Sequence, residues 1–329
     1  GGGGGGGGGG GPDPLIVARH CDALPEAARG GVVAIGNFDG VHRGHQALIA
    51  AGQAEARAIG APFGVLAFEP HPQDFFRRRT EKFRLTPFRP KAGALKALGV
   101  DALYALPFNA AIAAMTADAF IDEILVRRLA VRHVLIGADF QFGKDRAGTA
   151  ATLKAAGARH GFGVTIFTPV AAHGEAKISS TDIRTALKEG RPSEAARLLG
   201  HWWTVSGHVH HGDKRGRTIG FPTANVSLKG YLEPALGVYA VRVTAGEGRF
   251  DAVANFGRRP TFDKQDTLLE VHLFDFAGDL YGRQVDVAFV GYIRPERRFD
   301  GLESLKAQIQ ADGAEARRIL AATEGVPPL

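Results

Sequence analysis

Near residue 190 the chain changes rhythm, and that change constrains its fold more than any single motif. Up to residue 188, short β-branched runs alternate with helical stretches. Strand candidates fall at 31–35, 64–68, 103–106, 133–136 and 164–167, and helix candidates at 43–59 (ended by Gly60), 91–98, 117–129 and 150–160. Such alternation predicts a parallel sheet with helices on both faces, a Rossmann-like α/β domain. Beyond residue 188, strand candidates at 205–210, 238–244, 250–254, 268–274 and 285–290 follow one another, several through Gly-containing turns. Antiparallel strands that avoid open edges curl into a barrel. One helical stretch, 302–321, closes the pattern. The expected organisation is an α/β parallel-sheet domain over 12–190, then an antiparallel β-barrel with a C-terminal helix over 191–329. Gly190-Arg191-Pro192 marks the boundary.

The 329 residues suffice for two separate cores. Residues 1–11 are all glycine, with no side chains to bury, and are expected to be disordered or artificial and outside the fold. A lone cysteine, Cys21, cannot form an internal disulfide, which fits a reducing cytoplasm. No apolar stretch reaches the ~20 residues that span a bilayer, and no secretory signal is evident, so no membrane partner is expected. The formal net charge of +6 favours anionic partners, nucleic acid and phosphorylated small molecules alike.

The first chemical signal follows the first strand: Gly36-Asn37-Phe38-Asp39-Gly40-Val41-His42-Arg43-Gly44-His45. Its glycines let the backbone turn sharply and approach a ligand. His42 and His45, three apart, share one face of the opening helical turn. A helix N-terminus attracts phosphate, and two imidazole donors there can hold a triphosphate and stabilise a departing pyrophosphate. His71 after the second strand, Asp139 after a later one, and Ser179, Ser180, Thr181 and Arg184 at another helix start are further candidates. All are placed at carboxyl ends of strands, where open α/β sheets bind ligands.

The second signal is Gly216-Arg217-Thr218-Ile219-Gly220-Phe221-Pro222-Thr223-Ala224-Asn225. No Walker-type G-x-x-x-x-G-K-[ST] occurs, but a glycine-spaced loop can cradle phosphates with backbone N–H groups. Thr223 and Asn225 point the same way if that segment is extended. Both offer neutral oxygens suited to a hard cation such as Mg²⁺, with ATP phosphates completing its shell. In the strand at 268–274, Glu270 lies on the face opposite Val271 and Leu273.

The histidine string, placed after a first strand, resembles the signature of the HxGH nucleotidylyltransferases. The GRTIGFPTAN, PxxGVYAV and LEVHLFDF strings resemble riboflavin kinases. In this order the two sets resemble the bacterial bifunctional riboflavin kinase/FMN adenylyltransferase (FAD synthetase) family, from about Ile16 to the end of the last helix. The resemblance implies a nucleotidyltransferase domain followed by a riboflavin kinase barrel. It implies His42 and His45 as catalytic histidines, Glu270 as catalytic base, and Thr223 and Asn225 as the metal pair. ATP, riboflavin, FMN and FAD are the implied substrates and products.

Two other classes compete. One is a flavin- or nucleotide-binding regulator without turnover, against which the intact set His42, His45, Thr223, Asn225 and Glu270 argues. The other is a nucleic-acid binder, suggested by charge and by Arg77-Arg78-Arg79, but no nucleic-acid motif accompanies them.

Overall fold

The computed structural model describes residues 14–72, 83–168, 178–210, 223–258 and 266–324. It divides into two compact units, Gly1–Thr80 with Phe88–Lys177, and Glu81–Pro87 with Ile178–Leu329.

The first unit is a six-stranded, all-parallel sheet. Its strands are β1 (Ile16–Ala18), β2 (Val32–Ile35), β3 (Phe63–Phe68), β4 (Ala102–Leu106), β5 (His133–Gly137) and β6 (Gly163–Phe167), in the order β1-β4-β3-β2-β5-β6. The helices are α1 (Arg43–Ile59), α2 (Phe88–Ala97), α3 (Ala110–Ala113), α4 (Ala117–Phe120) and α5 (Ala150–His160). After α4 the chain continues as a wider, π-helical coil through Ile121–Arg128. Strand β2 is buried on both faces, Val32 and Ala34 in one apolar cluster and Val33 and Ile35 in another. Burial on both sides is why its sequence is continuously apolar rather than alternating. The strand order reverses between β2 and β5, and an open sheet of this kind has its ligand crevice at that point, outside the carboxyl ends.

The second unit is a closed antiparallel barrel. Its strands are β7 (Thr204–His210), β8 (Thr223–Val226), β9 (Gly237–Ala245), β10 (Gly248–Arg258), β11 (Thr267–Leu273) and β12 (Gln284–Arg294), in the order β10-β11-β8-β7-β12-β9. Ala224, Val226, Ala254, Phe256, Leu269 and Val271 fill the interior. Helix α8 (Leu302–Ala322) lays Ala316 and Leu320 on the opposite face of the strands, against Val238, Ala240, Val253 and Val290. Arg294 holds it through Asp312 at 2.8 Å, and Arg242 Nη2 donates to the Leu320 carbonyl at 2.7 Å.

The fold class is the expected one, but a single cut at 190 does not describe the packing. Helix α6 (Ser180–Lys188) buries Ile183, Ala186 and Leu187 in the barrel core, and helix α7 (Pro192–Leu199) adds Ala195 and Leu199. Leu85 joins the same cluster, and its carbonyl accepts from Trp203 Nε1 at 3.0 Å. The reason is hydrophobic: the apolar stripe of α6 is covered by the barrel cluster. The sequence offers β8 only as a segment that could extend from a loop, and the three-residue β1 is too short to stand out as a strand.

Candidate active sites

In the first unit, the segment from Gly36 to Val41 turns the chain from β2 into α1. Phe38 (φ 55°) and Val41 (φ 43°) take left-handed backbone conformations that non-glycine residues avoid. Each is 1% exposed, and that burial offsets a strain of about 1–3 kcal/mol per residue. Backbone strain of this kind clusters at ligand-binding turns.

The two histidines cap α1 reciprocally. His42 Nδ1 accepts from the backbone N–H groups of Gly44 (3.1 Å) and His45 (3.3 Å), while His45 Nδ1 accepts from the N–H of His42 at 3.2 Å. The rings stack with centroids 3.5 Å apart. Because each Nδ1 is an acceptor, each neutral ring carries its proton on Nε2. The cap therefore selects a tautomer that donates from Nε2. Gly44 is part of this device, since a Cβ there would lie 2.9 Å from His42 Cε1. Asp39 and His42 are both buried, at 5% and 7% exposure.

Lys91, from α2, is buried and donates from Nζ to the Asn37 carbonyl at 3.2 Å, while standing 3.7 Å from Glu69 Oε2. It thus ties the turn after β2 to the end of β3. A cavity of about 690 Å³ opens beside these strand ends. Asn37, His71 and Asp139 line it, so three residues picked from sequence meet in one space. The rest of its wall is largely apolar and includes Phe68, Phe108, Phe120, Phe140 and Phe142. Such a wall suits a flat aromatic ligand. Sequence reading missed these rings; Phe140 and Phe142, alternating around Gln141, were the only local hint. His42 and His45 are not part of that wall and stand at the helix start.

Ser179, Ser180, Thr181 and Arg184 fall in the second unit. Ser179 caps α6, its Oγ accepting from the Asp182 N–H at 3.2 Å. The Arg184 guanidinium lies over the Phe83 ring, 3.6 Å from its centroid, and its Nε donates to the Phe83 carbonyl.

On the barrel, Glu270 occupies the middle of a polar row. It pairs in register with Asn225 on β8 and with Asn255 on β10. Partners in register project from the same face, here the outer one, since Val271 and Leu269 point inward. Thr223 is extended in β8 as expected, two residues from Asn225, and pairs with His272. Burial holds the His272 imidazole below its ordinary pKa, so it stays neutral beside this row. Asn225 is 2% exposed, and its Oδ1 and that of Asn255 are buried without a hydrogen-bond partner among the described residues. An unsatisfied buried acceptor costs about 1–3 kcal/mol, a sign that a ligand or cation completes it. Asn255 received no role from sequence; a polar residue breaking an apolar strand on the Glu270 face was the available signal. Gly216, Arg217, Thr218, Gly220 and Pro222 lie outside the described residues.

Among the described residues no three or more His, Cys, Asp or Glu side chains are grouped to hold a metal. The oxygens of Thr223 and Asn225 nevertheless suit a hard divalent ion carried in by a triphosphate, and the orphaned Asn225 Oδ1 fits that use.

Comparison with known proteins agrees with this division. The family model described as FAD synthetase matches residues 24–182, and that described as riboflavin kinase matches residues 199–320. A bifunctional riboflavin kinase/FMN adenylyltransferase of Escherichia coli (strain K12) is 45% identical, over 90% of this chain and 94% of that one. One from Bacillus subtilis (strain 168) is 39% identical, over 90% and 94%. A crystal structure of a macrolide-efflux protein from Streptococcus pneumoniae matches with a TM-score of 0.79 and 34% identity, covering 92% of this chain and 98% of that one.

Proposed function

The chain belongs to the bifunctional riboflavin kinase/FMN adenylyltransferase family, and from that premise we propose that it makes FAD in two steps at two sites. Riboflavin and ATP give FMN and ADP on the barrel; FMN and a second ATP give FAD and pyrophosphate on the parallel sheet. The adenylylation function is assigned to residues 12–190 and the kinase to 191–329, although α6 packs with the barrel. The observation that carries the reading is the pair of dissimilar sites, one built on imidazoles and one on a carboxylate between two amides.

The chemistry follows from the charge of each nucleophile. The phosphate of FMN is already anionic, so no base is needed. Its oxygen bonds to the α-phosphorus of ATP, and the α–β bridging bond breaks. The Nε2–H groups of His42 and His45 donate to the charge that develops on the triphosphate. Asn37, His71 and Asp139, with the aromatic wall, hold the flavin ring in the cavity. Gly36, Phe38, Asp39, Gly40 and Gly44 shape the phosphate-binding turn.

The 5′-hydroxyl of riboflavin is neutral, so Glu270 accepts its proton as the oxygen bonds to the γ-phosphorus and ADP leaves. Gly216, Arg217, Thr218, Gly220 and Pro222 belong to the loop assigned to the ATP phosphates. Thr223 and Asn225 would hold Mg²⁺, which, when bound, offsets charge on the transferring phosphoryl group. Both steps consume ATP, and the cytoplasm is the assigned location. Among the described residues no helix is long and apolar enough to cross a membrane.

A time course with riboflavin, ATP and Mg²⁺, separating the three flavins, tests the reading. FMN should appear first and FAD after it. FMN accumulating without FAD would remove the adenylylation assignment, and no product at all would leave a binding protein.

A further inference from the structure

Among the described residues, the barrel face that carries Glu270 holds a polar side chain, Asn255, to which neither the metal pair nor the base gives a task. Asn255 faces Glu270 from β10, as Asn225 does from β8. The row Asn225–Glu270–Asn255 thus crosses three neighbouring strands, each step about 4.8 Å. The Oδ1 of Asn255 is buried and without a partner among the described residues. Glu296 stands beside it, over Gly257, where any Cβ would collide with Glu296 Oε1. A carboxylate supplies acceptors, not donors, so it does not satisfy a second acceptor.

We propose that Asn255 is a substrate-positioning residue of the kinase: its Oδ1 accepts a hydrogen bond from the ribityl hydroxyl adjacent to the reacting 5′-hydroxyl. The inference rests on the kinase reading of Glu270. Thr223 and Asn225 lie to one side of that carboxylate and Asn255 to the other. In-line phosphoryl transfer needs the acceptor alcohol and the departing nucleotide on opposite sides of the phosphorus. With the metal and ATP on the β8 side, the alcohol comes from the β10 side, where the orphaned acceptor sits. A polyol offers a hydroxyl on every carbon, and a base that meets only the terminal one does not decide how the chain runs behind it. A second acceptor, fixed on a paired strand, does.

Full-length Asn255→Ala and Asn255→Ser enzymes are assayed with riboflavin and with 4′-deoxyriboflavin, at varied Mg²⁺, with adenylylation of supplied FMN as the check on folding. Asn255→Ala should lower kcat/KM for riboflavin about 10-fold or more, leaving the Mg²⁺ requirement and FMN adenylylation as they were. Wild type should lose a similar factor on 4′-deoxyriboflavin, and Asn255→Ala should lose no further, because one hydrogen bond is removed only once. Serine, with a shorter acceptor, should recover part of the loss, and it carries the comparison if the alanine enzyme also loses adenylylation. Additive losses, an unchanged kcat/KM, or a raised Mg²⁺ requirement with the riboflavin dependence intact would each overturn the assignment. Retention of kinase activity by Glu270→Gln would instead remove the site reading beneath it.

Discussion

The two sites solve related problems in phosphorus chemistry with opposite kinds of scaffold. On the sheet, the proposed reactive groups sit where a strand gives way to a helix, in a turn with left-handed Phe38 and Val41 and a reciprocal histidine cap. On the barrel, Glu270, Asn225 and Asn255 sit within regular, paired strands. A strand-end turn exposes backbone N–H groups and a helix dipole, which suit a reaction between two anions. A strand offers side chains at fixed spacing, which suits a reaction that must place a base beside one hydroxyl of several. Under the proposed assignment, nucleophile charge goes with scaffold as well as with side chain.

The sharpest way to break this contrast is Glu270→Gln. Riboflavin phosphorylation should fall about 10²- to 10⁴-fold while adenylylation of supplied FMN continues, read by separating flavins after a fixed time. Equal loss of both activities would mean a folding defect or one shared site, against the two-site reading. His42→Ala and His45→Ala are the mirror experiment, with FAD formation falling about 10²- to 10³-fold and FMN formation unchanged. Near-normal FAD synthesis in both would leave the imidazoles as helix caps alone. Gly44→Ala is subtler, since it removes no reactive group but pushes on the His42 ring. A loss of about 10-fold in adenylylation, with the kinase intact, would show that ring placement matters.

The smallest effect concerns pH. The half-buried His272 has its pKa depressed by desolvation below the unfolded value of 6.5. Its contribution is therefore fully present above pH 6.5 and is lost as the pH falls through the depressed folded value, because the unfolded chain takes up the proton first. Denaturant unfolding of the full chain should show the barrel weakening from pH 7 to pH 5, by no more than one proton's worth of slope. His272→Gln should flatten that dependence, and an unchanged slope would contradict the burial of a neutral ring.

Much of this was legible before any coordinates. The helix at 43–59 was readable to its ends because a histidine-glycine turn opens it and Gly60, at φ 66°, closes it in the left-handed conformation only glycine takes freely. The alternation along β11 placed Glu270 opposite the core, and the structure keeps it there. Less legible was the partner of α6: its apolar stripe at Ile183, Ala186 and Leu187 states that something covers it, not what. The lone Cys21 is buried, with its thiol pushed up to about 11 by desolvation, as an unreactive thiol would be.

The sequence by itself determined the two fold classes and the order of the motifs, and it supplied the candidate residue types, because local periodicity and turn chemistry are written in neighbouring positions. Tertiary structure alone decided which distant residues meet: Asn37, His71 and Asp139 around one aromatic cavity, and Asn225 and Asn255 on either side of Glu270. Strand order and register do this work. They are set by how whole faces bury apolar surface together, a sum over the fold that no short stretch of chain contains.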